Sequence, residues 1–272
     1  MQYYLLIISI YLIISLVHAR WELVFSDDFN CNGEIDRNKW TFDEGVGENG
    51  WGNHEEQFYT TNRKNVRCEY FPGSSQGRLI IEAHRERHGE SRYTSARIRT
   101  KKAWTYGRWQ IRAKVPEGRG LWSAIWMLPQ HETYGTRKWP DSGEINIMEQ
   151  VGFDPTRIHA SVHTKAHNHR DSNHPSNSVT VPDVTTRFRI YTLDWEPHRL
   201  RMFVSDNEAN PEKKEILLWN KQGNWKMWPF DRPFNLIINL AIGGDWGGQK
   251  GLDVSAFPGK LEVDWVKYFQ RS

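Results

Sequence analysis

The sequence has almost no cysteine, no helical periodicity of useful length and, past its first twenty residues, no long apolar run. Its two cysteines among 272 residues, Cys31 and Cys68, allow at most one disulfide. There is no HExxH motif, no Walker phosphate loop and no GxSxG elbow, which removes the commonest sequence routes to a zinc peptidase, a P-loop enzyme and a serine esterase. Linkers, low-complexity tracts and repeats are also missing, so residues 20–272 read as one domain. An excess of one charge is lacking too. Interspersed basic (36) and acidic (33) residues leave a net +3, too little to imply a nucleic-acid partner.

What the chain does have is aromatic rings: 14 Trp, 10 Tyr and 12 Phe in a sequence whose mean hydropathy is −0.73. Aromatics in so polar a chain either fill a core or line a groove for flat ligands, and the apolar C–H faces of pyranose rings suit such a groove. The one apolar run, residues 5–17, is broken by Ser9, Tyr11 and Ser15 and ends in Val17-His18-Ala19, small at both positions a signal peptidase reads. Residues 1–19 therefore read as a secretory signal peptide. No Lys or Arg precedes the run, which is shorter than the ~20 residues of a spanning helix. A secreted, extracellular protein with no membrane attachment after cleavage is expected, and in that oxidising setting a Cys31–Cys68 disulfide.

Short, mostly alternating segments rich in β-branched and aromatic residues recur at 79–83, 97–100, 107–115, 121–128, 158–163, 188–195, 200–204, 234–242 and 260–269, separated by Pro-Gly and Gly-Gly punctuation. They predict an all-β fold, a jelly-roll sandwich of two antiparallel sheets with a concave groove, rather than βαβ units. Alternation puts Trp122, Ala124 and Trp126 on one side of their strand, opposite Leu121, Ser123, Ile125 and Met127. It likewise puts His159, Ser161 and His163 opposite Ile158, Ala160 and Val162.

Residues 139–152, WPDSGEINIMEQVG, combine two carboxylates and an amide in a strand-like context. Glu144 and Asn146 share a face, but strict alternation would drive Glu149 into the apolar layer, where an unpaired carboxylate is costly. A β-bulge at Ile147-Met148 returns Glu149 to the face of Glu144. The two glutamates are then about four strand positions apart, ~13 Å between Cα atoms. Side chains leaning together on a curved strand approach the ~5–5.5 Å carboxyl spacing of retaining glycosidases.

Two other constellations compete. His159, His163, His167, His169 and His174 invite a metal reading, but the first two alternate along a strand and residues 168–177 read as a loop, so no metal is expected there. The basic stretch 84–102 raises the question of a polyanion. Within it Arg97, Arg99 and Lys101 alternate with Ile98 and Thr100, as on the solvent face of a strand, and no nucleic-acid partner is expected.

Over nearly the whole length from Trp21 to Phe269 the chain resembles glycoside hydrolase family 16, specifically its laminarinase-like endo-β-1,3-glucanases. Glu144-Ile-Asn-Ile-Met-Glu149 is similar to the family's six-residue, bulged signature. Further matching blocks begin at Trp51, Tyr106, Leu121, His159 and Asn239. The resemblance implies a retaining hydrolase of internal β-1,3-glucan linkages, with Glu144 as nucleophile and Glu149 as acid/base. It further implies sugar contacts from Asn53, Arg108, Trp122, Trp126, Trp139, His163 and Trp246. No cofactor is required, although relatives often carry a structural calcium near the chain termini, for which Asp264 is the match. A polysaccharide is the expected partner of a monomeric enzyme.

In one respect the chain departs from the family. The middle of the catalytic row is usually Asp and here is Asn146, which can donate to Glu144 but carries neither charge nor a mobile proton. That predicts weaker activity with an acid-shifted optimum. It also keeps alive a β-glucan-binding recognition protein on the same fold, with weak or no hydrolase activity. A hydrolase of agar-like galactans is a third reading.

Overall fold

Alternating strands bury one face each, and here they do so against one another. The computed structural model describes residues 20–272 apart from Lys138. The expected leader, residues 1–19, lies outside the described residues. Among the described residues, no helix is long and apolar enough to cross a membrane.

A seven-stranded antiparallel sheet runs in the spatial order Ser176–Thr180, Arg157–His163, Glu144–Val151, Leu121–Pro129, Phe234–Ile242, Arg97–Thr100 and Trp40–Asp43. A second antiparallel sheet runs Lys214–Asn220, Arg199–Ser205, Arg189–Glu196, Gly107–Lys114, Gly259–Arg271, Gly77–Ala83 and Val66–Tyr70, with Trp21–Asp27 also paired to Gly259–Arg271. The strand order is far from the chain order, as in a jelly roll. A short parallel pair, Gln57–Tyr59 with Tyr93–Ser95, stands apart.

Facing side chains of the two sheets make the core. Ile125, Met127, Ile145, Ile147 and Ile238 from the first meet Trp109, Ile111, Tyr191, Leu193 and Tyr268 from the second, all fully buried. Each such side chain contributes roughly 1.5–3 kcal/mol relative to exposure. The sheet containing Glu144 thus has one face in the core and its other face free to form a groove. Cys31 and Cys68 are joined in a disulfide, beside the backbone bridge of Gly33 to Cys68.

The segments expected as strands are strands. Those unanticipated are mostly edge or peripheral pieces, such as the polar Ser176–Thr180 and the edge strand Lys214–Asn220, which buries Ile216 and Leu217. Part of the expected loop 168–177 is a single tight turn, His169–Asp171, whose preceding Asn168 side chain accepts from the Asp171 N–H.

Candidate active site

The strand Glu144–Val151 lies between Arg157–His163 and Leu121–Pro129. Asn146 pairs with Trp126, yet Met148 pairs with the next residue, Ile125, so one residue is inserted between them. The same shift separates the Asn146–Ser161 pair from the Glu149–His159 pair on the other side. Ile147 and Met148 are both fully buried, sending two successive side chains into the core. The bulge inferred from sequence is therefore present, and Glu144, Asn146 and Glu149 all line one cleft of about 820 Å³.

Each carboxylate has its own set of donors. Asn146 Nδ2 donates to Glu144 Oε1 at 3.0 Å and Trp139 Nε1 to Glu144 Oε2 at 2.8 Å. For Glu149, Trp122 Nε1 donates to Oε1 at 3.2 Å and the Ser161 hydroxyl to Oε2 at 3.4 Å. Burial raises the pKa of Glu144, but the donors from Asn146 and Trp139 and the charge of Arg97 oppose it. Glu149 is pushed up to about 8, first by burial and then by the negative charge of Glu144, with Trp122 and Ser161 acting against the rise. Two carboxyl groups in one cleft are thereby split into a more acidic and a less acidic member, the division that acid/base chemistry requires.

His163 faces Glu144 across the strand pair, with Nε2 3.7 Å from Oε1. Its Nδ1 is buried without a hydrogen-bond partner, and Nε2 is the ring nitrogen that faces the Glu144 carboxylate. Burial and the neighbouring His174 and His169 depress its pKa to about 3. His163 is therefore held neutral rather than serving as a proton shuttle. The His163 and His174 rings stack at 4.8 Å and 19°, which prevents their nitrogens from converging. Among the described residues no three His, Cys, Asp or Glu side chains are arranged to hold a metal ion.

Aromatic rings and one arginine build the opposite wall. Asn49, Gly50, Trp51 and Gly52 all have positive φ, at 48°, 59°, 57° and 84°, forming a left-handed turn that aims Trp51 at the cleft. A Cβ on Gly50 would come within 2.5 Å of the Glu55 backbone nitrogen, so that position needs glycine. The Arg97 guanidinium lies between two indoles, 4.5 Å from the Trp51 ring and 4.8 Å from that of Trp126, with Nε 2.7 Å from Asp43 Oδ2. Trp126 Nε1 donates to Asn239 Oδ1, Asn239 Nδ2 to the Tyr59 hydroxyl, and that hydroxyl to Glu55 Oε2. Asn53 and Gln57 also donate to Glu55. The ring of Trp126 and the amide of Asn53 are thus tied to one carboxylate.

Of the residues expected to contact sugar, Asn53, Trp122, Trp126, Trp139, His163 and Trp246 all line the cleft. Trp122 and Trp139 also spend their indole N–H groups on the two glutamates. Arg108 requires correction. It sits on Gly107–Lys114 in the other sheet, with Nε 2.5 Å from Asp194 Oδ1, a second contact to Glu212 and its guanidinium over Trp21. The expectation for Arg108 comes from the resemblance of the Tyr106-Gly107-Arg108 block, and that block's strand lies in the sheet that does not hold the glutamates.

The arginine buried in the cleft beside Trp51 and Trp126 is instead Arg97, expected as a solvent-facing residue yet only 6% exposed. Asp264 is also held by an arginine. Its carboxylate, expected as a calcium ligand, pairs with Arg112. Sequence reasoning missed Trp51, Glu55 and Asn239 as site residues, although all three fall in blocks that carried the resemblance. His169, Arg170 and His174 also line the cleft.

The Glycosyl hydrolases family 16 profile matches residues 49–267. The chain is 48% identical over 253 residues to a beta-glucanase of Rhodothermus marinus, covering 92% of this chain and 85% of that protein. It is 36% identical over 261 residues to a glucan endo-1,3-beta-glucosidase of Cryptopygus antarcticus, covering 92% of each. The X-ray structure of the laminarinase from Rhodothermus marinus superposes with a TM-score of 0.86 at 45% identity, over 94% of this chain and 99% of that one. With two donor-held glutamates on the floor of a tryptophan-lined cleft, the chain belongs to glycosyl hydrolase family 16 and is a glycoside hydrolase.

Proposed function

We propose that the protein is an endo-β-1,3-glucanase of the laminarinase type that works by a retaining double displacement. The observation that carries this reading is the unequal treatment of the two glutamates. Glu144, held by Asn146 and Trp139, is the nucleophile whose carboxylate bonds to the anomeric carbon as the glycosidic C–O bond breaks. Glu149, pushed up to about 8, is protonated near neutral pH and gives its proton to the departing oxygen. Water then attacks the glycosyl-enzyme ester, losing a proton to Glu149 and releasing Glu144. Trp126 and Trp246 offer apolar faces to sugar rings, and the Nε2 of His163 lies beside the nucleophile. The relatives named beta-glucanase, glucan endo-1,3-beta-glucosidase and laminarinase support the choice of substrate. Export is part of the proposal, supported by the apolar leader at residues 5–17 and by the disulfide.

The test is reducing-sugar release from laminarin by the protein and by Glu144→Gln, with NMR of the first product's anomeric configuration. Release of β-configured products by the parent alone is expected. Inverted products would refute the double displacement, laminarin binding without release would identify a recognition protein, and activity confined to galactans would move the substrate class.

A further inference from the structure

Asn146 has two amide N–H bonds and both are in use. One goes to Glu144 Oε1 at 3.0 Å and the other to Ser161 Oγ at 2.9 Å. Ser161, directly across the strand pair and 4% exposed, therefore accepts from Asn146 and has its single proton left to donate. That proton goes to Glu149 Oε2 at 3.4 Å. The other oxygen of Glu149 accepts from Trp122 Nε1. Both carboxyl oxygens thus already receive a donor from the protein, and the acid's own proton is left to point into the cleft. A neutral Asp at position 146 has one proton to give, and could serve Glu144 or Ser161 but not both.

We propose that Ser161, driven by Asn146, is a positioning residue for the acid: with Trp122 it turns the Glu149 proton toward the glycosidic oxygen. In the second half of the reaction the same two donors stabilise the Glu149 carboxylate as it takes a proton from water. The proposal rests on the hydrolase reading above. It also gives the Asn in the catalytic row a task of its own, the one-way orientation of a serine hydroxyl.

The test compares Ser161→Ala and Ser161→Thr on two substrates. Laminarin has a sugar leaving group that needs the acid, whereas a dinitrophenyl β-laminaribioside releases dinitrophenolate, which departs without a proton. Ser161→Ala should lose at least about tenfold in kcat on laminarin, a fraction of the 10²–10⁴ carried by general acid catalysis, with KM little changed. On the aryl glycoside it should form the glycosyl-enzyme at close to the parent rate. Loss of a donor to the carboxylate should move the alkaline limb on laminarin to higher pH, and Ser161→Thr, which keeps the hydroxyl, should restore both. Equal losses on the two substrates, or an unmoved limb, would overturn the proposal. A 13C NMR titration of the Glu149 carboxyl does not depend on turnover. If the parent hydrolyses neither substrate the reaction proposed above fails, and a Glu149 midpoint unchanged by Ser161→Ala would separately refute the contact.

Discussion

Replacing Glu144 by Gln keeps the shape of the nucleophile and removes its charge, so it isolates one of the two causes that hold Glu149 at about 8. At a carboxyl spacing of ~5.5 Å and an effective dielectric constant of ~20, two unit charges repel by about 3 kcal/mol, equivalent to about 2 pKa units. The Glu149 midpoint should therefore fall to about 6 in Glu144→Gln. It should not reach the ordinary value of 4.5, because burial is the larger cause and survives the substitution. The assay is a 13C NMR titration of carboxyl-labelled protein, with the indole N–H of Trp122, hydrogen-bonded to Glu149, as an independent reporter. An unchanged midpoint would refute the electrostatic coupling, and a fall all the way to 4.5 would refute the role of burial.

Two further outcomes follow from the same groups. Asn146→Asp places a third carboxyl in the row and replaces two N–H donors by at most one O–H, so the alkaline limb on laminarin should rise by about one pH unit. Indistinguishable pH–rate profiles would refute the idea that Asn146 tunes the acid. Glu149 also links pH to stability. Its native pKa lies above the unfolded value, so its stabilising contribution is complete below about pH 4.5 and is lost as pH rises through about 8. Urea unfolding should show the parent losing on the order of 4 kcal/mol relative to Glu149→Gln between pH 5 and pH 9, and parallel curves would refute the shift.

The parts of the fold legible in the sequence were those governed by local alternation. Trp122, Ala124 and Trp126 face the cleft and Leu121, Ile125 and Met127 the core, because a strand has only two sides. The bulge was legible for the same reason, since two carboxylates on one sheet face demanded it. What alternation could not supply was the identity of the neighbouring strand. Arg97 and Arg108 both alternate with apolar residues, yet one lies under tryptophans of the cleft and the other joins an ion-pair network on the opposite sheet. The direction of the turn at residues 48–54 was equally hidden. Asn-Gly and Gly-Asn pairs announce a turn, but not the four consecutive positive φ values or the placement of Trp51 against Arg97 and Tyr59.

The inserted residue at Ile147-Met148 bears on how this strand can change length. Removing Ile145 would reverse the facing of everything that follows it relative to Glu144. Removing either Ile147 or Met148 leaves Glu144, Asn146 and Glu149 at successive even positions, on one face with no kink at all. A single-residue deletion at that one spot preserves the parity of the catalytic row, at the cost of one core side chain and the local twist. Strand length here is therefore editable in one place, and chains with and without the extra residue are a single deletion apart.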